Sequence, residues 1–472
     1  MNFKKAMIAA VLALVLSAHA FAETQNVKVS GVLDAYWFQR SNFDLRDNND
    51  IAVTPVGTAG ASYNNPAASA THRSDTDNYV MSITQVEVAA DLTDNVSTVI
   101  NILNMRDWNA DTFTDATTST AVGANEFDLS LDLAYVQMKE IFYSPLTLTI
   151  GRQDLLFGRG FIVGWNPVDP QGATQADEFT QLQAFDAVRA TLDFNPWTID
   201  LVYALIDENS NNPEDDRDLY IANVNYKFAE YNAVAEAYYV GEIDKGTLAG
   251  TAGTHDNNTH TVGGRVQFDP ISQITLGGEL AYQFGNYRSA LANPRRDRDA
   301  WAADVFGTYR WDYTWKPEVT VEYVMMSGES DLSATTNDFG SWNAPFRGPT
   351  YGWIHEYKET NWGTAQTNDQ ATGQNNQFIS VAASIKPLED LLISAVYYHF
   401  WAPDDMHTTI TDPTSAVLDD HLGDEIDTQI TYAYTEDVSF GFMADWYIPG
   451  GLYASNNDKT ASQYVSSVHV TF

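Results

Sequence analysis

Trp197-Thr198-Ile199-Asp200-Leu201-Val202-Tyr203 divides by parity, with Trp, Ile, Leu and Tyr on one face of an extended chain and Thr, Asp and Val on the other. Successive side chains of a strand point to opposite faces, so the first set suits an apolar medium while the second suits water. The same split recurs in Val319-Thr320-Val321-Glu322-Tyr323, in Ile274-Thr275-Leu276-Gly277-Gly278-Glu279-Leu280 and in Val438-Ser439-Phe440-Gly441-Phe442. Eighteen such segments follow one another from residue 27 to the end, among them 27–38, 126–139, 301–313 and 426–435. Their connectors fall into two classes in strict alternation. Short ones, such as Thr93-Asp94-Asn95, Asn195-Pro196, Thr314-Trp315-Lys316 and Glu436-Asp437, are rich in turn formers; long polar ones separate the resulting pairs, the largest spanning about 39–78 and 329–376.

A soluble β-sandwich has no reason to collect its short turns at one end and its long loops at the other, whereas a transmembrane barrel does. In lipid the backbone must satisfy its own hydrogen bonds, so strands persist there only if the sheet closes without an edge. Rings near strand ends agree. Tyr143, Trp197, Trp311 and Trp315 stand at the short-turn side, and Trp37, Tyr79, Tyr203 and Trp301 at the loop side, where an apolar body and a polar tip are both satisfied. The expected fold is an all-β, antiparallel transmembrane barrel of about 18 strands, with short periplasmic turns and long extracellular loops.

Composition narrows the function. The 472 residues carry 25 Lys and Arg against 63 Asp and Glu, a net charge of −38, so a nucleic-acid backbone would be repelled. Cysteine is absent, which removes disulfides, thiolate metal sites, cysteine nucleophiles and covalently attached haem. Only Ala6 to Ala22 is apolar over a long run. Lys4 and Lys5 precede its core, Ile8 to Leu16, and Ala20-Phe21-Ala22 follows, the three parts of a secretory signal peptide. Cleavage after Ala22 would leave 23–472 as the barrel, with 23 basic and 63 acidic residues. The last strand, from Tyr464, closes on Phe472, which looks like the terminal signature of bacterial outer-membrane barrels.

The segment Gly151-Arg152-Gln153-Asp154-Leu155-Leu156-Phe157-Gly158-Arg159-Gly160, with Gln183-Ala184-Phe185-Asp186-Ala187-Val188-Arg189 on the next strand, resembles the alginate export family of outer-membrane porins. The motif residues are Gly151, Arg152, Gln153, Gly158, Arg159 and Asp186. The resemblance implies an eighteen-stranded monomeric barrel in the bacterial outer membrane. In the alginate exporter of that family the channel is strongly electropositive, and here this chain departs. By alternation the lumen-facing acids include Asp200, Glu236, Glu279, Asp304 and Glu322, with Asp34, Asp427 and Asp445, against Arg189, Arg265 and Arg310; over all strands acids exceed bases by about two to one. Such walls favour cations or neutral solutes over an anionic polymer, unless many charges pair across strands. Strict alternation puts Arg152 outward with Leu146, Leu148 and Ile150. Either a β-bulge at Gly151 flips the register, or Arg152 and Asp186 pair at the outer rim near lipid phosphates.

Loop 329–376 is the expected plug. Its rings Trp342, Phe346, Tyr351, Trp353, Tyr357 and Trp362 suit either sugar stacking or packing of the loop on itself. Acidic runs at Asp47-Asn48-Asn49-Asp50, Glu214-Asp215-Asp216 and Asp419-Asp420-His421 with Asp424-Glu425 offer hard oxygen ligands to Ca2+ or Mg2+, or are solvated surface. No fixed metal site and no cofactor is expected. Catalytic motifs are missing: there is no Gly-x-Ser-x-Gly and no Walker A run, and His355-Glu356 lacks a second histidine four residues on. The expected function is an outer-membrane channel for small polar solutes or saccharides, in contact with membrane lipid and lipopolysaccharide. A sheath or docking platform for an export or electron-transfer partner is the first alternative, and a barrel enzyme the second.

Overall fold

The computed structural model describes residues 26–43, 45, 76–108, 113–114, 121–122, 129–164, 176–179, 184–207, 216–245, 257–288, 295–329, 338–362, 375–405, 419–453 and 458–472. The expected signal peptide and the run Asp47 to Asp50 lie outside them. Eighteen strands form one antiparallel sheet: β1 (Asn26–Ser41), β2 (Thr76–Thr93), β3 (Val96–Asp107), β4 (Ser130–Met138), β5 (Leu146–Asp154), β6 (Ala184–Asp193), β7 (Trp197–Asp207), β8 (Arg217–Lys227) and β9 (Val234–Asp244). The second half comprises β10 (Asn257–Ile271), β11 (Ile274–Tyr287), β12 (Arg296–Arg310), β13 (Glu318–Met326), β14 (Asn376–Leu388), β15 (Leu391–Trp401), β16 (His421–Ala433), β17 (Val438–Pro449) and β18 (Ala461–Thr471). Each strand pairs with its sequence neighbours, and β1 pairs with both β2 and β18, so the sheet closes and no edge is left. The backbone of Phe472 completes the seam by exchanging two hydrogen bonds with Gly31, at 2.9 and 3.1 Å.

The parity of the sequence is the parity of the wall. Leu201 and Tyr203 are exposed on the outside, while Asp200 and Val202 are buried inside; Leu276 and Leu280 face out around the buried Glu279, and Val321 and Tyr323 face out on either side of Glu322. At the turn end Phe142 and Tyr143 stand 91% and 102% exposed with φ of 57° each, a region that ordinarily favours glycine. Trp197, Trp311 and Trp315 are exposed beside them. At the loop end Trp37, Tyr203 and Trp301 face out, but Tyr79 does not: it turns into the lumen and stacks on Phe38 with ring centroids 4.8 Å apart. Its partner across the strand pair is the inward Phe38, so register and not the ring sets its direction.

The structure also decides between the two readings of Arg152. The β4–β5 and β5–β6 registers run through Gly151 without a shift, and Arg152 stands opposite Asp186 with Nη1 3.5 Å from the carboxylate. The outward ion pair is therefore the one formed. The register break lies one strand pair earlier, where Ile102 and Asn101 pair with Leu131 and Leu133 and leave Asp132 as the extra residue. Gly151 serves a different purpose: its φ is +122°, and a Cβ there would lie 2.9 Å from the Cα of Tyr135.

Candidate pore constriction

Alternation stops after Asp154. Leu155 to Val163 is an apolar run punctuated by Gly158 (φ +62°) and Gly160 (φ +77°), and it leaves the wall to fold into the barrel. Leu155, Phe157, Phe161, Ile162 and Val163 are all buried, packed on small or apolar inward residues such as Ala187, Val202, Ala204, Ala281 and Ala302. Small wall side chains leave the room that the incoming rings fill.

The tip of this loop is held by charge. Gly158 N donates to Glu236 Oε1 at 2.9 Å, Arg159 N donates to Glu279 Oε2 at 3.3 Å, and Arg265 Nη1 donates to the Gly158 carbonyl at 3.0 Å. The Arg159 guanidinium reaches Asp304 at 2.6 Å and Glu322 at 2.8 Å, and lies 4.1 Å above the Phe306 ring. Burial opposes its charge, but Asp304 and Glu322 outweigh that and raise its pKa, so it stays a cation. A Cβ on Gly158 would meet the Glu279 carboxylate at 2.8 Å, which is why the backbone can come so near only as glycine. Tyr238 donates to Glu279 from the other side at 2.6 Å.

A second stretch, Asp338 to Trp362, enters from the loop between β13 and β14. It pairs with the first: Val163 bridges Phe346, Gly164 N donates to the Phe346 carbonyl at 2.8 Å, and Gly348 N donates to the Gly160 carbonyl at 2.8 Å. Inward side chains stitch it to the wall. Gln283 and Asn343 exchange side-chain and backbone hydrogen bonds, Asn343 Nδ2 donates to Glu242 at 2.9 Å, and Arg298 Nη1 donates to the Ser341 carbonyl at 2.7 Å. The stretch ends in helix α1 (Trp353–Trp362), whose first amides are capped by the opposite wall: Ile354 N and His355 N donate to the two oxygens of Glu425 at 2.7 and 2.8 Å. Asp427, Asp445, Gln463 and Arg40 continue that wall, and Arg40 pairs with Glu178 of a third inward stretch, 176–179.

Of the residues expected from sequence to line the pore, Asp200, Glu236, Glu279 and Asp304 are buried on inward faces, and Glu322 is half-buried beside them. Arg189 pairs with Asp200 at 2.9 Å and Arg265 with Glu236 at 3.6 Å, so part of the charge is neutralised across strands. Arg310 is not with them: it lies at the turn end, paired with Glu318 at 2.6 Å. Of the motif residues, Gly158 and Arg159 are at the constriction, Gln153 donates inward to the Ala187 carbonyl at 3.0 Å, and Arg152 and Asp186 are on the outer surface. The rings suited by sequence either to sugar stacking or to packing of the loop are engaged with the protein: Trp342 with Phe161, Phe346 with Phe185, Tyr351 with Phe378, and Trp353 with Phe179 at 4.4 Å. The Trp362 side chain lies outside the described residues. Sequence reasoning missed Glu425, because β16 begins at His421 and not at 426, and it missed Arg296 and Arg298, because β12 begins five residues before the expected 301. The run Arg296-Asp297-Arg298-Asp299 carried the signal as alternation of charge rather than of polarity.

Comparison with known proteins completes the picture. A family model described as Alginate export matches residues 59–467. The chain belongs to the alginate export family. Among solved structures, OccAB1 of Acinetobacter baumannii aligns at a TM-score of 0.55 and 12% identity, covering 96% of this chain and 99% of its own. A BenF-like porin from Pseudomonas fluorescens Pf-5 aligns at 0.53 and 11%, over 95% and 100%. OccK2 (OpdF) of Pseudomonas aeruginosa, in complex with glucuronate, aligns at 0.51 and 11%, over 95% and 99%. A comparison with curated proteins finds no match. The structural likeness is one of fold; with the family it makes this member of the alginate export family a porin-type channel of the bacterial outer membrane.

Proposed function

We propose that the channel passes small cationic or neutral polar solutes, saccharides among them, through an acidic lumen, by passive diffusion or export. The observation that carries this reading is the sign of the wall beside the inward loops. On one side Asp200, Glu236, Glu279, Asp304 and Glu322 face Arg159, Arg189 and Arg265; on the other Glu425, Asp427, Asp445 and Glu178 face Arg40. Counted by formal charge, acids outnumber bases in both sets after pairing, and a low-dielectric wall focuses such a field into the pore. A uronate, the ligand in the OccK2 complex, carries the charge these walls repel. Reversal potentials across a planar bilayer under a KCl gradient test the reading: cations are expected to be preferred, and a preference for anions overturns it.

A second reading, a sheath or docking platform, draws support from the occupation of the lumen by 155–164 and 338–362. Under it the purified barrel gives no conductance steps in the bilayer. Ohmic steps from the purified chain favour the channel that we propose.

A further inference from the structure

A cluster on the outer surface at the loop end has no part in the constriction. His399 of β15 and His421 and Asp424 of β16 bring three metal-ligating atoms within 4.8 Å of one another, and among the described residues no other group of histidines and acids does so. His399 Nδ1 lies 2.8 Å from Asp424 Oδ1, and His421 Nε2 lies 3.2 Å from Asp424 Oδ2. The two imidazoles stand 4.8 Å apart, tilted by 30°.

A regular strand could not build this group, since residues three apart point to opposite faces. Between Phe400 and Trp401 the β15–β16 register shifts, so that Phe400 pairs with Gly423 and Trp401 with His421, leaving Leu422 as the extra residue. Leu422 is buried at 1%, and His421 and Asp424 share the outer face with His399. Gly423 permits the distortion, with φ +153° and the Tyr447 hydroxyl 2.5 Å from where a Cβ would lie. The bulge is fastened: the Leu422 carbonyl accepts from Tyr447 Oη at 2.6 Å and Gly450 N at 3.0 Å, the His421 carbonyl accepts from Leu452 N at 3.1 Å, and His421 N donates to Asp419 at 2.9 Å. Tyr397 Oη donates to Asp424 at 2.6 Å and orients the carboxylate.

We propose that His399, His421 and Asp424 form a binding site for a divalent transition metal of the Zn2+ class. Two imidazoles and one carboxylate suit Zn2+, Ni2+ or Cu2+, and not Ca2+ or Mg2+, whose hard oxygen ligands the acidic run in this region could supply as the alternative to a solvated surface. Glu425, which the sequence groups with that run, faces the lumen and caps α1. Zinc ligands sit about 2.0–2.2 Å from the ion, so atoms already 2.8 to 3.2 Å from a shared carboxylate need only side-chain rotation to enclose it. The His399 and His421 side chains are partly exposed, while the His421 Nε2 atom itself is buried and has no hydrogen-bond donor or acceptor partner among the described residues.

The test uses the full-length chain, without an affinity tag, refolded in detergent and titrated with Zn2+. One equivalent is expected to bind, with at least a tenfold loss of affinity in each of His399→Gln, His421→Gln and Asp424→Asn. Co2+ is expected to give a visible absorption of nitrogen ligation that disappears in both histidine variants. Equimolar Ca2+ is expected not to displace Zn2+. Because a variant of the bulge could misfold, Zn2+ protection of His421 against carbethoxylation in the unaltered chain provides a measurement that needs no variant. Failure to bind one equivalent, equal affinity in the histidine variants, displacement by equimolar Ca2+, or unprotected His421 overturns the proposal.

Discussion

Arg159 illustrates how much one side chain carries when it enters a pore from a loop. It is the only guanidinium that touches both Asp304 and Glu322 among the described contacts, and it comes with two backbone amides aimed at Glu236 and Glu279. Removing it as Arg159→Met leaves two neighbouring carboxylates without their counter-ion, so the loop should loosen and the local field become more negative. Single-channel recording is expected to show higher conductance and a stronger cation preference; an unchanged ratio would remove Arg159 from the determinants of selectivity. Gly158→Ala tests the approach of the backbone instead of the charge. Its φ of +62° and the 2.8 Å from a new Cβ to Glu279 both oppose the substitution, the left-handed conformation alone costing about 1–2 kcal/mol. Urea unfolding of the refolded barrel should register a loss of that order. Neither role was visible in the sequence. The motif pointed to Gly158 and Arg159 as important, but the acids that receive them sit 78 to 163 residues away, and only closure of the sheet brings those strands around one lumen.

At the scale of elements, the wall and its contents differ in legibility. Strands such as β7 and β13 declare themselves through parity, because lipid and water impose opposite demands on alternate side chains. Their ends do not: β16 starts at His421, where polar residues continue the strand beyond the apolar band, and so alternation alone leaves Glu425 outside the segment 426–435. The inward stretches carry no period at all. Helix α1 is fixed by what caps it, the Glu425 carboxylate and the wall of β14 to β17 against which His355 stacks on Phe400 at 3.9 Å. Loss of a helix N-cap costs about 1 kcal/mol, so Glu425→Ala should leave the barrel intact while 352–362 exchanges amide hydrogens faster. Hydrogen exchange followed by mass spectrometry distinguishes this from global loosening, in which the strand amides of β16 and β17 would speed up equally.

For the whole molecule, the net charge of −38 and its placement set the expected response to salt. Screening lengths fall from about 10 Å at 0.1 M to about 3 Å at 1 M, so the cation preference should shrink as KCl rises on both sides of the bilayer. A preference independent of ionic strength would point to steric exclusion rather than the field of the walls. The closure of the sheet has a consequence for biogenesis. The first strand is stapled to the last, so the cylinder cannot be sealed until the carboxy-terminal residues arrive. The stretch from Asp338 to Trp362 is anchored on both sides of the lumen, on β9 to β12 and on β16, so it ties together strands that stand far apart around the wall. The cylinder is thus fastened twice, once around its circumference at the seam and once across its bore by the strap that spans it.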